Sequence, residues 1–218
     1  SRESPFAELH QEWCPDGVPF LSLGELALWT GAGGTPKKSH QEYYDSGDIP
    51  WLRTGQVNFN IINAVEGHIT QEGLDNSSAQ WIPSNCVIVA ISGATAGRCA
   101  INAIPTTTNQ HCFNIEVESS KALYKYVFYC VCAKYQELLS MKQGARGDLN
   151  GKLIKSLKIP VPPLNIQKRI VDILDSFDLL VNESDESIPA EIEARRQQYA
   201  YYRDALFSFK RMDEGTGQ

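Results

Sequence analysis

The sequence predicts an α/β protein: a mixed α+β domain over residues 1–160, then a long two-part α-helical coiled-coil region over residues 161–212. Three observations predict it. Before Leu157, short β-forming segments alternate with polar loops around one long apolar helix. After it, apolar residues fall at Ile166, Ile170, Ile173, Phe177 and Leu180, a heptad seam that asks for a partner helix. Between the two lies Leu157-Lys-Ile-Pro-Val-Pro-Pro163, which its prolines hold extended.

The elements follow in order. Phe6 to Trp13 forms a short amphipathic helix with Phe6, Leu9 and Trp13 on one side, and Cys14-Pro-Asp-Gly17 ends it with turn chemistry. Phe20 to Leu28 is apolar and short, suited to a strand or to single helical turns. Thr30 to Lys38 is a glycine-rich loop ending in two cations, and a turn at Tyr43 to Asp48 leads into a strand-like stretch from Ile49 to Asn58. Ile69 to Leu74 reads as a strand end, with helix or turn to Ala79. Cys86 to Ile91 is the clearest buried strand, a continuous run of apolar β-formers. It empties into the Ser92–Arg98 turn and a second strand from Cys99 to Ile104. Thr106 to His111 is a polar cluster, and Cys112 to Val117 another strand. A helix is expected over Lys121–Met141, capped by Gln143 to Asn150. Ser187-Ile188-Pro189 interrupts the heptad seam, which resumes at Ile192, Tyr199, Tyr202, Leu206 and Phe209 with Arg195 in the missing slot. Two helices of about 18 and 20 residues span roughly 27 and 30 Å. Residues 213–218 are expected to be disordered.

Composition narrows the class. No segment reaches the ~18 apolar residues of a membrane span, and no basic stretch followed by an apolar run marks a secretory signal near the N-terminus. Ser1 in place of methionine is expected from processing, a tag remnant or excision from a longer chain. The cysteines Cys14, Cys86, Cys99, Cys112, Cys130 and Cys132 form no C-x-x-C pair and sit mostly in apolar surroundings, as expected of reduced thiols in the cytoplasm. The net charge of −6 argues at face value against nucleic acid. Its distribution softens that objection, because Lys134, Lys142, Arg146, Lys152, Lys155 and Lys158 face only Glu137 and Asp148 along one stretch, a local excess suited to a phosphate backbone.

The motifs exclude more chemistry than they supply. Thr30 to Lys38 does not complete G-x-G-x-x-G. Ser92-Gly-Ala-Thr-Ala-Gly-Arg98 lacks the spacing and the Lys-Ser or Lys-Thr of a P-loop, and Ala90 occupies the first glycine position of a nucleophile elbow. His111 alone reads as a structural or contact residue. By contrast Arg53, Gln56 and Asn58 are side-chain types that make paired hydrogen bonds to base edges.

Taken in order, several short motifs resemble the specificity subunit of type I restriction–modification systems, in a half-length form. They are Cys-Pro-Asp-Gly-Val18, Gly-Gly-Thr-Pro36, Gly-Asp-Ile-Pro-Trp51, Ser-Gly-Ala-Thr95, Thr-Asn-Gln110, Leu-Lys-Ile-Pro-Val-Pro-Pro163, Gln-Lys-Arg-Ile-Val-Asp-Ile-Leu-Asp-Ser-Phe-Asp178, Pro-Ala-Glu-Ile-Glu193 and Tyr-Tyr-Arg-Asp204. Each is weak alone, but the ordered set spans nearly the whole chain. The resemblance implies a target recognition domain over residues 1–160, reading one half of a split site in double-stranded DNA, and a helical conserved region over 161–212 for dimerisation and methyltransferase docking. Members of that family carry two recognition domains; this sequence has one, as expected of a half-subunit that dimerises or a piece of a longer parent.

What the resemblance implies, together with residue type and loop placement, sets the expectations. DNA contacts are expected from Lys37, Lys38, Arg53, Gln56, Asn58, Ser92, Thr95, Arg98, Asn109, Gln110, Lys142, Arg146 and Lys152. A dimer or partner seam is expected at Ile170, Ile173, Phe177, Ile192, Tyr199, Tyr202 and Leu206, with Arg195 paired to Glu183, Asp185 or Glu186 of a second copy. The expected partners are DNA methyltransferase (modification) subunits, a restriction subunit and a second identical chain. No catalytic residue, metal or cofactor is expected, and no membrane. An antiparallel helical spacer about 30 Å long matches roughly nine base pairs, so an inverted repeat with an unspecified gap is expected. The alternative is a coiled-coil interaction protein that does not read DNA.

Overall fold

The computed structural model describes residues 5–141, 148–182 and 189–212, with side chains up to Asp178 and again from Glu193. The chain opens with α1 (Ala7–Trp13), then β1 (Phe20–Ser22), α2 (Leu23–Leu26) and β2 (Ala27–Ala32). The Phe20–Leu28 stretch thus uses both readings its sequence allows. Ser22 caps α2 with a full capping box: its hydroxyl accepts from Glu25 N, and the Glu25 carboxylate accepts from Ser22 N. Next come β3 (Ile49–Leu52), β4 (Asn60–Ile62), β5 (His68–Ile69), α3 (Gln71–Asp75) and β6 (Trp81–Ile82). The expected strand over Ile49–Asn58 stops at Leu52 because a 3-10 turn at Thr54–Gln56 redirects it.

Then follow β7 (Val87–Ala90), β8 (Cys99–Asn102), β9 (Thr106–Thr108) and β10 (Cys112–Val117). The polar run Thr106–Thr108 is a buried strand, its hydroxyls satisfied in part by the Pro50 carbonyl at 3.1 and 2.8 Å. The helix expected over Lys121–Met141 is two, α4 (Tyr124–Ala133) and α5 (Tyr135–Ser140), broken at Lys134. α6 (Gly151–Ser156), β11 (Lys158–Pro160), α7 (Leu164–Asn182) and α8 (Pro189–Leu206) complete the chain.

The strands form a five-stranded sheet of order β2-β10-β7-β8-β4, a four-stranded sheet of order β5-β3-β9-β6, and the pair β1-β11. α4 lies on one face of the larger sheet and is buried along nearly its whole length. The other face shares a second core with the smaller sheet, through Leu52 and Ile82 against Ile62, Ile88 and Ala100. Burial pushes the Cys86 and Cys112 thiols up to about 12, so they remain protonated.

The helices after Pro160 do not stand apart as a coiled coil. α7 and α8 pack on each other and on α4, and Ile166, Ile170, Val171, Leu174, Leu206 and Phe209 join the core that holds Val87, Phe113 and Tyr126. The heptad seam therefore finds its partner helix within its own chain. Ile170 and Leu206, expected on a seam open to a second copy, are fully buried here. Ile173, Phe177, Tyr199 and Tyr202 stay half-buried at its margin, with Phe177 stacked on Tyr202 at 6.4 Å. The side chains of Leu180 and Ile192, and the tail expected to be disordered, lie outside the described residues.

The two ends of the described chain close on each other. β1 pairs with β11, Val18 bridges to Arg211, and His10 Nε2 donates to the Leu206 carbonyl at 3.0 Å while its ring lies tilted against Phe209 with centroids 4.2 Å apart. Burial lowers the His10 pKa from its ordinary 6.5, partly opposed by that hydrogen bond. The folded state thus binds fewer protons than the unfolded chain just below pH 6.5, so stability rises with pH through that range. We expect melting temperature to fall as pH drops from about 7 to about 5, and the fall to shrink in His10→Gln. Urea denaturation should show Ile170→Ala losing about 2–5 kcal/mol, as a core position does and an open seam position does not.

Candidate nucleic-acid interface

The strand directions of the larger sheet gather the sequence-selected residues at one end. β2 and β7 run antiparallel to β10, β8 antiparallel to β7, and β4 parallel to β8. The segment leaving β2 carries Lys37 and Lys38, and the segment entering β10 carries Asn109 and Gln110. The β7–β8 turn carries Ser92, Thr95 and Arg98, and Asn58 precedes β4. All of these enter or leave at the same end. That end is four strand spacings wide, about 19 Å, or between five and six base pairs at about 3.4 Å each.

Two more residues join from outside the sheet. Asn109 N donates to the Leu52 carbonyl at 2.9 Å, which sets Arg53, the next residue after β3, beside it. Leu149 N donates to the Ile91 carbonyl at 2.8 Å and Asn150 caps α6, which brings the first turn of α6, with exposed Lys152, next to the β7–β8 turn. Lys142 and Arg146 lie outside the described residues. Gln56 is placed differently: its amide contacts the Ala64 carbonyl at 3.5 Å and Glu66 N at 3.3 Å, which engages it in its own loop.

Near the β2 and β3 ends the surface is concave. A cleft of about 390 Å³ brings together Lys38, Arg53, Asn109 and Gln110, and adds Thr35, Tyr44, Trp51 and His111. The Arg53 guanidinium lies 6.0 Å from the centre of the Trp51 ring, within cation–π range. Trp51 is itself held by Nε1 donating to the Gly34 carbonyl at 2.9 Å, and Tyr44 by its hydroxyl donating to the Pro36 carbonyl. Thr35 donates to the Gln110 side-chain carbonyl, and Gln110 Nε2 lies 3.2 Å from His111 Nε2. Asn109 is buried, and its side-chain oxygen accepts from His111 N at 3.1 Å, so it shapes the cleft from beneath. On the far side, Arg98 Nη1 donates to Asn58 Oδ1 at 2.9 Å across the two loops.

The four added residues had a legible signal. Thr35 and Trp51 lie inside motifs singled out in the sequence, His111 follows a third, and Tyr44 belongs to an aromatic pair between two of them. Residue type alone does not select them, because a lone threonine, histidine, tyrosine or tryptophan is as common in a packed interior as at a binding surface. Chemically, the site offers cations, amide donors and acceptors, and aromatic edges. Buried thiols such as Cys112 stay protonated, and the side chains of the cleft are joined by hydrogen bonds.

Packing leaves the loop over the cleft little freedom. A Cβ on Gly33 would come within 1.9 Å of the Thr108 carbonyl oxygen, and one on Gly34 within 2.2 Å of Ala79 N. Both contacts are with backbone, which cannot give way.

The sequence matches the type I restriction modification DNA specificity domain over residues 15–194. It is 35% identical over 198 residues to the type I restriction enzyme EcoR124I/EcoR124II specificity subunit of Escherichia coli, covering 88% of this chain and 48% of that protein. To the EcoprrI specificity subunit of Escherichia coli it is 33% identical over 206 residues, covering 85% and 49%. The fold matches the HsdS subunit from Thermoanaerobacter tengcongensis with a TM-score of 0.62 at 18% identity, over 92% of this chain and 49% of that one. The chain spans about half the length of the curated relatives it matches.

The glycine loop yields a stability test. Gly33→Ala should lose about 1–3 kcal/mol in denaturant melts. Gly55→Ala, where a Cβ meets nothing within 4 Å, should stay near wild type.

Proposed function

The chain belongs to the type I restriction modification DNA specificity family, and from that premise we propose that it reads one half of a two-part site in double-stranded DNA. The observation that carries this reading is the convergence of Lys37, Lys38, Asn58, Ser92, Thr95, Arg98, Asn109 and Gln110 at one end of the five-stranded sheet. Elements whose sequences are far apart share that end, and Arg53 and Lys152 join it. A surface some 19 Å wide fits a half-site of several base pairs.

Roles divide by side-chain chemistry. Lys37, Lys38 and Lys152 are exposed point charges suited to phosphates, and they set register and salt dependence. Arg53, propped by Trp51, presents its guanidinium as a fork able to meet a guanine edge, and exposed Gln110, its amide oriented by Thr35 and His111, offers its remaining N–H and oxygen lone pair to an adenine. Arg98 and Asn58 buttress each other, so each narrows the rotamers open to the other. The net charge of −6 does not oppose this, because at physiological salt the field beyond about 8 Å is screened and the local cations dominate.

In this reading residues 1–160 form the target recognition domain and 161–212 the conserved helical region. The chain performs no chemistry on DNA. It directs DNA methyltransferase subunits and a restriction subunit, in the cytoplasm, to the bound site. With one recognition domain in the chain, a homodimer supplies the second half-site, with the half-buried Ile173, Phe177, Tyr199 and Tyr202 and the exposed Tyr201 at the helical margin as its contact. The site is then an inverted repeat around an unspecified gap.

Methylation mapping of a genome carrying this gene with its methyltransferase identifies the site, and duplex binding then tests the roles. Lys38→Ala should weaken cognate and scrambled duplexes alike and shallow the salt slope by about 1. Arg53→Ala should instead relax one position, with about 1–3 kcal/mol of discrimination lost there. Equal binding of cognate and scrambled duplexes by the wild type sinks the reading. Sedimentation at micromolar concentration should give a dimer, and a strict monomer together with an asymmetric methylated site removes the homodimer.

A further inference from the structure

Trp81 is half exposed, at 50%, although it stands in a strand whose next residue, Ile82, is fully buried. The register of the smaller sheet explains both. Thr107 of β9 lies opposite Trp51 of β3 on one side and opposite Trp81 of β6 on the other. Directly opposed residues share a face, so Trp51, Thr107 and Trp81 form one row across three strands. Leu52, Thr108 and Ile82 face the opposite way, into the core beneath. The row therefore lies on the face that bears the cleft. Trp51, at 6% exposed, is covered by the glycine loop and Tyr44, whereas Trp81 is left uncovered two strands away. Two strand spacings are about 10 Å, which equals about three base-pair steps.

Its immediate surroundings are polar. Gln80 donates from Nε2 to the Ala32 carbonyl at 3.3 Å, Ser77 and Ser78 lie just upstream, and Thr107 stands beside it. Gln80, Ser77, Ser78 and Thr107 add polar groups beside the indole, whereas a surface that a protein partner buries is a contiguous apolar patch. An exposed indole in register with Trp51, on the face of the sheet that bears the cationic cleft, suits DNA better.

We propose that Trp81 contacts the target duplex about three base pairs from the position met by Arg53, packing its indole on an apolar edge of the DNA. That edge is either a thymine methyl group or a deoxyribose. The inference rests on the DNA-reading function above and extends its footprint to a residue that charge and hydrogen-bonding capacity do not select.

The test measures binding of the 218-residue chain to the mapped cognate duplex and to a scrambled one, for wild type, Arg53→Ala, Trp81→Ala and Trp81→Phe. Trp81→Ala should weaken cognate binding about tenfold, with Trp81→Phe recovering most of it and both variants melting near the wild type. If Trp81→Ala melts lower, the ring-preserving Trp81→Phe and acrylamide quenching decide. Cognate DNA should then protect the fluorescence component that Trp81→Phe removes. Cognate duplexes with uracil in place of thymine distinguish the two edges: a matching loss assigns the methyl group, and unchanged binding assigns the sugar. Weakened binding by Arg53→Ala alone, with Trp81→Ala and the quenching unchanged, overturns this inference and leaves the DNA-reading function standing. Loss of methyltransferase co-purification by Trp81→Ala with intact DNA binding overturns it in favour of a protein contact. A wild type that does not distinguish the two duplexes removes the function itself.

Discussion

β10 is hydrogen-bonded along both edges, to β2 through Phe113↔Ala32 and to β7 through Cys112↔Ala90. That pairing fixes which loops can be neighbours. With a side-chain period of two, a one-residue slip would turn Ile115 away from the core it shares with α4 and put Asn114 there in its place. Asn114 already sits in a demanding place, fully buried, with Nδ2 donating to Thr108 Oγ1 at 2.8 Å. The bond ties the large sheet to β9 of the smaller one. Through β9 the position of the Asn109–His111 segment is set relative to β3, and with it the distance between Gln110 and Arg53. The cleft exists because two sheets are held in register by one central strand and one buried amide.

The second constraint is closure. Val18 N donates to the Lys210 carbonyl and Met212 N to the Val18 carbonyl, while β1 pairs with β11 immediately before α7. Gly17, with φ of +83°, makes room for this approach, since a Cβ there would lie 2.6 Å from the Lys210 oxygen. Residues near both ends of the described chain thus share one core with α4 and α7. Polar ties reinforce it: Lys125 pairs with Asp175 at 2.6 Å, and the Tyr129 hydroxyl lies 2.7 Å from Asp175 and 2.8 Å from Asp178. The half-exposed ion pair adds little by itself. Its value is in fixing the angle at which α7 packs against α4.

Charge is arranged by the same topology. The chain is acidic overall, yet Lys37, Lys38, Arg53 and Arg98 come to one sheet end, while Asp172, Asp175 and Asp178 line α7. Net charge therefore describes solubility and long-range repulsion, and the local field at the loops governs an anionic partner.

The sequence by itself determined the strand-rich domain, the strands at Cys86–Ile91 and Cys112–Val117, the amphipathic helices and the family, because apolar periodicity and short ordered motifs are local features. It also named Lys38, Arg53, Asn109 and Gln110, because side-chain type is visible without coordinates. Their meeting in one cleft was decided by tertiary structure, since strand direction and pairing order are nonlocal and are not encoded in any single segment. The same holds for the partner of the heptad seam. Ile170 and Leu206 have the spacing of residues that seek another helix, but only the packing of α4 against α7 and α8 shows that the helix is in the same chain. β9 follows the same rule: its three threonines form a polar cluster in the sequence, and burial together with the Pro50 carbonyl makes them a strand. Periodicity reports that a side chain must be buried, and only the fold decides against what.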